Sequence, residues 1–248
     1  MPAPKSLLGR AFALLAVFTA DRPSATLSEL SRYSGLPLST THRLTRELVA
    51  WGALARDEAG RFTIGLRLWE LGALSPGALG LRERALPYLE DLFEVTRHNV
   101  QLAIRDGLEA VYVERISARD AVNVVTRMGS RMPLHATGVG LVLLAHAPKD
   151  VQDRALAQPL KRYTAHTITT PNALRTALAT VRRDGYATSD RQIETFTHSV
   201  AAPVRGPGGE VVAAVSVVVP TDTRTDTVLP AVRACGRTIS RALGWRTP

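Results

Sequence analysis

The segment 26–51 constrains the fold most, because it encodes two short helices joined by a tight turn. Thr26-Leu27-Ser28-Glu29 has the spacing of a capping box, with Thr26 as the N-cap and Glu29 hydrogen-bonding back to it. Gly35 suits the left-handed end of a helix over Leu27–Ser34. Pro37 suits the first turn of a second helix, Pro37–Trp51, because no N–H is needed there. This succession is typical of a helix-turn-helix.

The second of these helices has two chemically different faces. Four positions recur at the spacing i, i+3, i+4 and i+7 and are predicted to face the core: Thr41, Leu44, Thr45 and Leu48. The other side carries hydroxyl and basic side chains, namely Ser39, Thr40, His42, Arg43 and Arg46. Arginine can bond guanine with two parallel hydrogen bonds, and hydroxyls can hold phosphates. This face therefore suits the major groove of DNA, although a solvated face of a packing helix has the same composition.

A β-hairpin is predicted directly after this helix, in the position of a wing. Ala53–Arg56 and Arg61–Ile64 have strand character, and the polar segment 57–60 between them ends in glycine, as turns do. Arg56 and Arg61 lie near the tip and are expected to touch the DNA backbone or minor groove. The acidic residues beside them weaken that expectation.

Bulk composition agrees with a DNA-binding protein without deciding the matter. The net charge is +9, which suits a polyanionic partner. Residues 1–66 hold 8 Lys+Arg against 5 Asp+Glu, a net of +3, so most of the charge lies elsewhere. The single cysteine, Cys235, excludes an internal disulfide. Ser6–Ala20 is predicted as an amphipathic helix rather than a signal peptide, and no apolar stretch approaches membrane-spanning length. We expect a cytoplasmic protein with no membrane partner.

The second half of the chain predicts an α+β domain built on a mostly antiparallel sheet. Strands are predicted at Asn99–Arg105, Glu109–Ile116, Val122–Arg127, Ser199–Val204 and Val211–Val219, with another starting at Gly185. Helices are predicted at Val139–His146, Asn172–Asp184 and Asp226–Leu243. Between the two halves lies a connector, interrupted at Ser75-Pro76-Gly77 and followed by a helix over Leu81–Thr96 that contains Pro87.

These blocks together resemble one bacterial family. The first half matches the DNA-binding domain of IclR-type regulators through Leu27-Ser28-Glu29-Leu30, Gly35-Leu36-Pro37, Ser39–Leu44 and Arg56-Asp57. The second half resembles the IclR effector-binding domain, which has a GAF-like fold, through Asp106-Gly107, Val111-Tyr112-Val113, Pro133–Thr137, Gly185-Tyr186-Ala187 and Ala201–Val204. The resemblance implies a winged helix-turn-helix domain at 1–66, a connector helix region at 67–84 and an effector-binding domain at 85–248.

The resemblance also implies a ligand pocket against the sheet. Carried onto this chain, its residues are Gly138, Val139, Ser189, Asp190, Ser199 and Ala201. The family commonly has a Glu pair where this chain has Arg191-Gln192, Gly where it has Phe196, and Lys where it has Leu141. Arg191 near the pocket mouth favours an anionic effector, an organic or aromatic acid. Phe196 can narrow or close the cavity.

No residue pattern indicates catalysis, a metal ion or a cofactor. The six histidines, His135 included, form no His-x-x-x-His pair on one helix. Ser199, His198 and Asp190 suggest a triad by type, but no Gly-x-Ser-x-Gly elbow surrounds Ser199. The run 206–209 is a hairpin turn rather than a phosphate-binding loop. We expect no catalytic residue, no metal and no cofactor.

The sequence therefore predicts a sequence-specific transcription regulator that binds a double-stranded DNA operator and responds to a small-molecule effector. A symmetric homodimer or tetramer is expected, because one winged domain reads only a short half-site. Two other interpretations stay open. One is a constitutive DNA-binding protein whose pocket is filled by side chains, and the other is an enzyme or sensor using the C-terminal domain.

Overall fold

The chain forms two compact units, residues 1–76 and 77–248, in a computed structural model that describes residues 6–19, 21–74, 78–118 and 121–246. The boundary between the units falls within the predicted connector, 67–84. The predicted interruption at 75–77 lies outside the described residues. The domain limits drawn from the resemblance stay a prediction.

The N-terminal unit consists of three packed helices, a small sheet and one further helix. Its helices are α1 (Leu7–Leu15), α2 (Leu27–Ser34), α3 (Leu38–Trp51) and α4 (Leu66–Ala73). Its strands are β1 (Ser24–Ala25), β2 (Leu54–Arg56) and β3 (Phe62–Ile64), in the antiparallel order β1-β3-β2. A small apolar core holds the unit together: Leu14, Val17, Ala25, Leu30, Leu36, Leu44, Leu54 and Phe62.

Capping residues define where α2 begins and ends and where α3 begins. The backbone N–H of Glu29 donates to Thr26 Oγ1 (3.2 Å), and the backbone N–H of Thr26 donates to Glu29 Oε2 (2.7 Å). The predicted capping box is therefore present. Gly35 ends α2 with a φ of +70°, as expected for a glycine cap. Pro37 is the N-cap of α3 rather than its first helical residue.

The first helix is shorter than its apolar pattern predicts. It starts after Ser6, whose Oγ accepts the Gly9 N–H (3.0 Å), and ends at Leu15. Beyond it, the Arg22 side chain donates to the Val17 carbonyl oxygen (2.8 Å), and Thr19 pairs with Arg22. These contacts turn the chain toward β1, a two-residue strand too short for a sequence pattern to reveal. The predicted end of the helix at Ala20 lies outside the described residues.

The C-terminal unit is an antiparallel sheet covered by helices on both faces. Its helices are α5 (Ala78–Thr96), α6 (Gly138–Ala145), α7 (Lys149–Ala157), α8 (Pro171–Asp184) and α9 (Thr225–Ala242). Its strands are β4 (Asn99–Asp106), β5 (Glu109–Ile116), β6 (Arg131–Pro133), β7 (Ala187–Asp190), β8 (Thr197–Arg205) and β9 (Val211–Pro220). They lie in the order β6-β5-β4-β9-β8-β7, and each neighbouring pair is antiparallel.

Alternation along the central strands divides their side chains between two cores. On β9, Val215, Val217 and Val219 pack with α5 and α9. Ala214 points the other way and joins the core formed with α6, α7 and α8. Val113 and Tyr112, neighbours on β5, likewise join opposite cores, and the pairing of β4 with β5 has a bulge between Leu102 and Ala103. The α+β fold with its antiparallel sheet is as predicted.

The predicted strand at Val122–Arg127 is wrong. This segment is irregular, and Arg131–Pro133 pairs with β5 instead. Side chains rather than a strand ladder bind its backbone: Asn99 Nδ2 donates to the Val122 carbonyl oxygen (2.7 Å), and Glu194 Oε1 accepts the Val125 N–H (3.1 Å). The predicted helix over Leu81–Thr96 starts earlier, at Ala78, and continues through Pro87.

Candidate functional site

The polar face of α3 is exposed, as its periodicity predicts. Thr41, Leu44 and Thr45 are buried in the N-terminal unit. The side chains on the other side are solvent-accessible: Ser39, His42, Arg43 and Arg46 are exposed and Thr40 is partly so. The structure thus places the predicted DNA-contacting residues of α3 on one accessible surface.

Only one ion pair involves the arginines of this face among the described contacts. Arg43 donates to Glu47 Oε1 at 2.8 Å, one helical turn away, and both side chains are more than half exposed. Exposed pairs of this kind contribute little to stability, because water screens them and both side chains lose rotational freedom. Arg43 can therefore leave Glu47 for a phosphate or a base at small cost.

Arg56 shares a concave surface with the arginines of α3. The groove between α3 and the wing is lined by His42, Arg43, Arg46, Glu47 and Arg56, with Leu27, Thr45, Val49, Ala50 and Phe62 below them. The Arg56 guanidinium lies 5.5 Å from the centre of the Phe62 ring and donates to the Gly60 carbonyl oxygen (3.3 Å). The hairpin turn thus holds Arg56 beside the exposed face of α3. This is the position that its predicted contact with DNA requires.

Arg61 points away from this groove and ties the wing to the rest of the unit. Its guanidinium donates to Ser24 Oγ (3.0 Å), to the Ser24 carbonyl oxygen (3.2 Å) and to Glu29 Oε2 (3.3 Å). The hydrogen bond from Thr26 lowers the pKa of Glu29, with a further contribution from Arg61. Arg61 therefore holds β1 and the capping box together, and its contact with DNA stays a prediction.

A pocket lies on the face of the sheet that carries α6. It encloses about 430 Å³ of empty space, its open mouth included. Its walls come from β4, β5, β7, β8, β9, the start of α6 and the two irregular segments 124–126 and 192–194.

Four of the six predicted effector residues line this pocket. Gly138 and Val139 belong to the first turn of α6, and Ser189 and Ser199 face each other across the β7–β8 pair. Ala201 lies just beneath, because a Cβ added to Gly138 would be 3.3 Å from the Ala201 Cβ and 2.7 Å from Ser199 Oγ. The glycine therefore keeps this end of the pocket open.

Asp190 is not among the described lining residues of the pocket, so its predicted contact with the effector stays a prediction. It pairs in register with His198, the neighbour of Ser199, and successive residues of a strand face opposite sides of the sheet. Asp190 instead binds the guanidinium of Arg191 at 2.8 Å. Arg191, at φ +52°, is likewise absent from the described lining, so it supplies no positive charge there.

The concern that Phe196 closes the cavity is also resolved by position. Phe196 is 50% exposed and lies outside the described lining of the pocket. Leu141 is buried in the core beneath α6. Neither residue belongs to the described lining, so neither position fills the pocket with its side chain.

Sequence reasoning missed most of the polar residues of the pocket. Those are Gln101, Tyr112, Thr126, Thr137, Gln192, Glu194, Thr197 and Ser216. Gln101 Nε2 donates to Thr126 Oγ1 at 2.5 Å, and Ser189 Oγ donates to the Ala136 carbonyl oxygen at 2.9 Å. Burial raises the pKa of Tyr112, so its hydroxyl stays protonated at neutral pH. Of these positions, strand alternation could have indicated only Thr197, because it shares a face of β8 with Ser199 and Ala201.

The residues that suggested chemistry do not form a reactive centre. Ser199 and His198 are adjacent on β8 and so face opposite sides of the sheet. His135 Nε2 is hydrogen-bonded to the Lys161 carbonyl oxygen (3.0 Å), and burial lowers its pKa. In the described part of the chain no three His, Cys, Asp or Glu side chains cluster as metal ligands. Within the same residues, no helix has the length and apolar character to span a bilayer.

Family models match both halves of the chain. Residues 7–58 match the IclR helix-turn-helix domain, and residues 76–241 match the C-terminal domain of bacterial transcriptional regulators of the IclR type. The regulator KipR of Bacillus subtilis is 34% identical over 84% of this chain and 83% of its own length. The regulator XynR of Escherichia coli is 32% identical over 95% of this chain and 96% of its own. These relatives are named as transcriptional regulators and not as enzymes.

Solved structures give the same result. An IclR homologue from Microbacterium hydrocarbonoxydans, crystallised with 4-hydroxybenzoate, superimposes with a TM-score of 0.91 at 37% identity, covering 96% of this chain and 99% of that one. A transcriptional regulator from Rhodococcus sp. RHA1, described as putative in its structure report, superimposes at 0.82 with 33% identity, covering 95% of this chain and 97% of its own. The layout of helix-turn-helix and α+β domain is shared. The chain belongs to the IclR family of bacterial transcriptional regulators.

Proposed function

We propose that this regulator binds a double-stranded DNA operator through the exposed face of α3, and that a small organic acid, most simply an aromatic one, controls this binding from the C-terminal pocket. The observation that carries the proposal is the pairing of two accessible sites in one chain. One is a basic, hydroxyl-bearing helix face beside a wing, and the other is a polar-lined pocket on the sheet.

The DNA side of the proposal follows from the exposed groups. Ser39 and Thr40 lie in the first turn of α3, where hydroxyls and backbone N–H groups can hold phosphates. Arg43 lies about one turn and Arg46 about two turns beyond Ser39 along the same face, and both can reach base edges in the major groove. Arg56 on the wing can add a contact to the sugar-phosphate backbone.

The effector side rests on the start of α6. Thr137 Oγ1 caps this helix by accepting the Gly140 N–H (3.1 Å). Gly138 and Val139 line the pocket, and their first-turn N–H groups have no partner within the helix. Such groups stabilise a carboxylate. The Microbacterium relative was crystallised with 4-hydroxybenzoate, an aromatic acid, which supports the same class of ligand for this chain.

A homodimer, or a tetramer built from dimers, completes the proposal. Two helices of the N-terminal unit expose large apolar side chains: Leu7, Leu8 and Phe12 on α1, and Leu66, Trp69 and Leu71 on α4. Apolar surface of this kind supports self-association. A two-fold pair of winged domains would read two half-sites and so double the DNA contact. The protein would act where the chromosome is, in the cytoplasm.

The experiment is operator selection followed by effector titration. Full-length protein is mixed with sheared genomic DNA, the retained fragments are sequenced, and binding to the best fragment is then measured with benzoate, 4-hydroxybenzoate and aliphatic acids present. We expect a few sites with inverted half-sites, and at least one acid that changes the Kd by about fivefold or more. Retention without sequence preference would refute the DNA part. No response to any acid would refute the effector part.

A further inference from the structure

One carboxylate stands in the wall of the pocket. Apart from the Tyr112 hydroxyl, Glu194 is the ionisable group among the described lining residues, and the others are apolar, amide or hydroxyl side chains. Burial raises the pKa of Glu194, with Arg115 as a nearby positive charge that opposes the shift. Placing a half-buried carboxylate in a cavity costs free energy of hydration. The hydrogen bonds that this group can still accept therefore indicate what the pocket binds.

Glu194 is held in place but is not saturated by its protein partners. Oε1 accepts the Val125 N–H at 3.1 Å, and Oε2 lies 3.4 Å from the Thr197 hydroxyl. A carboxylate has about four lone-pair sites, so about two are free to accept from another donor. The described hydrogen bonds of the Arg115 guanidinium go to Asn99 Oδ1 (3.0 Å) and Ser117 Oγ (3.3 Å), and neither reaches Glu194.

The position of Glu194 gives the pocket two chemically distinct ends. Thr197, which contacts Glu194, and Ser199, which lies against Gly138, are two residues apart on β8 and share its pocket face. Alternate strand residues are separated by about 7 Å. One end therefore offers N–H and O–H donors, and the other offers a carboxylate acceptor.

We propose that Glu194 determines effector specificity by accepting a hydrogen bond from an O–H or N–H group on the far end of the effector. This inference rests on the proposed function, since it requires an acid bound at the start of α6. It narrows the ligand class to acids with a hydrogen-bond donor across the ring from the carboxylate. A site built around a buried acceptor rejects analogues that lack the donor, because the acceptor is then desolvated without a partner.

The test compares three probes on full-length protein by titration calorimetry: 4-hydroxybenzoate, 4-methoxybenzoate and benzoate. Methylation keeps the oxygen but removes the donor. For the unmodified protein we expect 4-hydroxybenzoate to bind at least about tenfold more tightly than 4-methoxybenzoate. In Glu194→Leu this preference should fall to about twofold or less. In Glu194→Gln it should be retained in part, because the amide oxygen can still accept. Thr195→Leu, at an exposed neighbour outside the lining, should behave as the unmodified protein does.

The outcomes separate this inference from the proposed function. If the probes bind with equal affinity, or if Glu194→Leu keeps the full preference, the role of Glu194 is refuted while effector binding stands. If no probe binds although other acids shift the operator Kd, the class assigned here is refuted alone. If no acid of any kind binds, both proposals are refuted. Glu194→Gln keeps the test valid should Glu194→Leu fail to fold.

Discussion

The two candidate sites differ in how their residues are brought together. The residues proposed to contact DNA come from one helix and the hairpin after it, within the segment 39–56. The pocket residues come from strands and loops spread over positions 101–218. A local site depends on helix periodicity, whereas a dispersed site depends on strand register and on side chains that hold irregular segments. Experiments that damage one unit and leave the other intact test this difference.

The largest effect is expected at Gly65, the N-cap of α4. A Cβ at this position would overlap the Gly52 carbonyl oxygen, while the Gly65 N–H donates to the Ala53 carbonyl oxygen at 2.8 Å. Gly65→Ala should lower the free energy of unfolding of the N-terminal unit by roughly 2–4 kcal/mol. Urea unfolding and operator binding measure the loss, and effector binding should persist.

Gly72→Ala is the matched control for that change. Nothing lies within 4 Å of a Cβ added to Gly72, which is inside α4. Alanine should therefore leave stability unchanged or raise it by about 0.5–1 kcal/mol. Equal effects of Gly65→Ala and Gly72→Ala would contradict the packing assigned to the N-terminal unit.

The next effect is expected in the pocket. Gly138→Ala would place a methyl group 2.7 Å from Ser199 Oγ, at the end of the pocket where α6 starts. We expect effector affinity to fall by about tenfold or more, with operator binding unchanged in the absence of effector. Gly80→Ala, in α5 with open space around its Cβ, serves as the control in the same unit. Unchanged effector affinity in Gly138→Ala would place the ligand elsewhere.

The smallest effects are expected for the two arginines of the wing, Arg56 and Arg61, whose substitution should change different properties. Arg61→Ala removes the hydrogen bonds to Ser24 and should lower the free energy of unfolding by about 1 kcal/mol. Arg56→Ala should leave stability within about 0.5 kcal/mol but weaken operator binding in a salt-dependent way. Thermal unfolding and fluorescence anisotropy measure the two properties. If the pattern is reversed, the roles assigned to these residues are interchanged.

The difference between a local site and a dispersed site also explains which residues could be predicted from the sequence. The capping box at Thr26 and the exposed face of α3 follow from short-range patterns, and both are where they were expected. The family resemblance assigned both Ser189 and Asp190 to the pocket, but only Ser189 is among its described lining residues. Neighbouring residues of a strand face opposite sides, and which of them faces the pocket depends on strand partners far along the chain.

Residues in irregular segments could not be found from periodicity at all. Thr126 reaches the pocket from a segment whose backbone is bound by the Glu194 side chain at Val125. Glu194 reaches it from a segment whose backbone is bound by Thr167 Oγ1 at Gln192. The Val122–Arg127 segment looks like a strand by composition, yet its partners are Asn99, Gln101 and Glu194 rather than a neighbouring ladder. Such contacts are long-range, and a single sequence contains no local signal for them.

The most direct test of the central claim compares Arg43→Ala with Arg154→Ala on the selected operator. Both arginines are exposed partners of an acidic residue one helical turn away, but Arg154 lies on α7 in the other unit. We expect Arg43→Ala to weaken operator binding by about 1–3 kcal/mol, and Arg154→Ala to leave it unchanged. Equal operator affinities of the two variants would contradict the assignment of α3 as the helix that reads DNA.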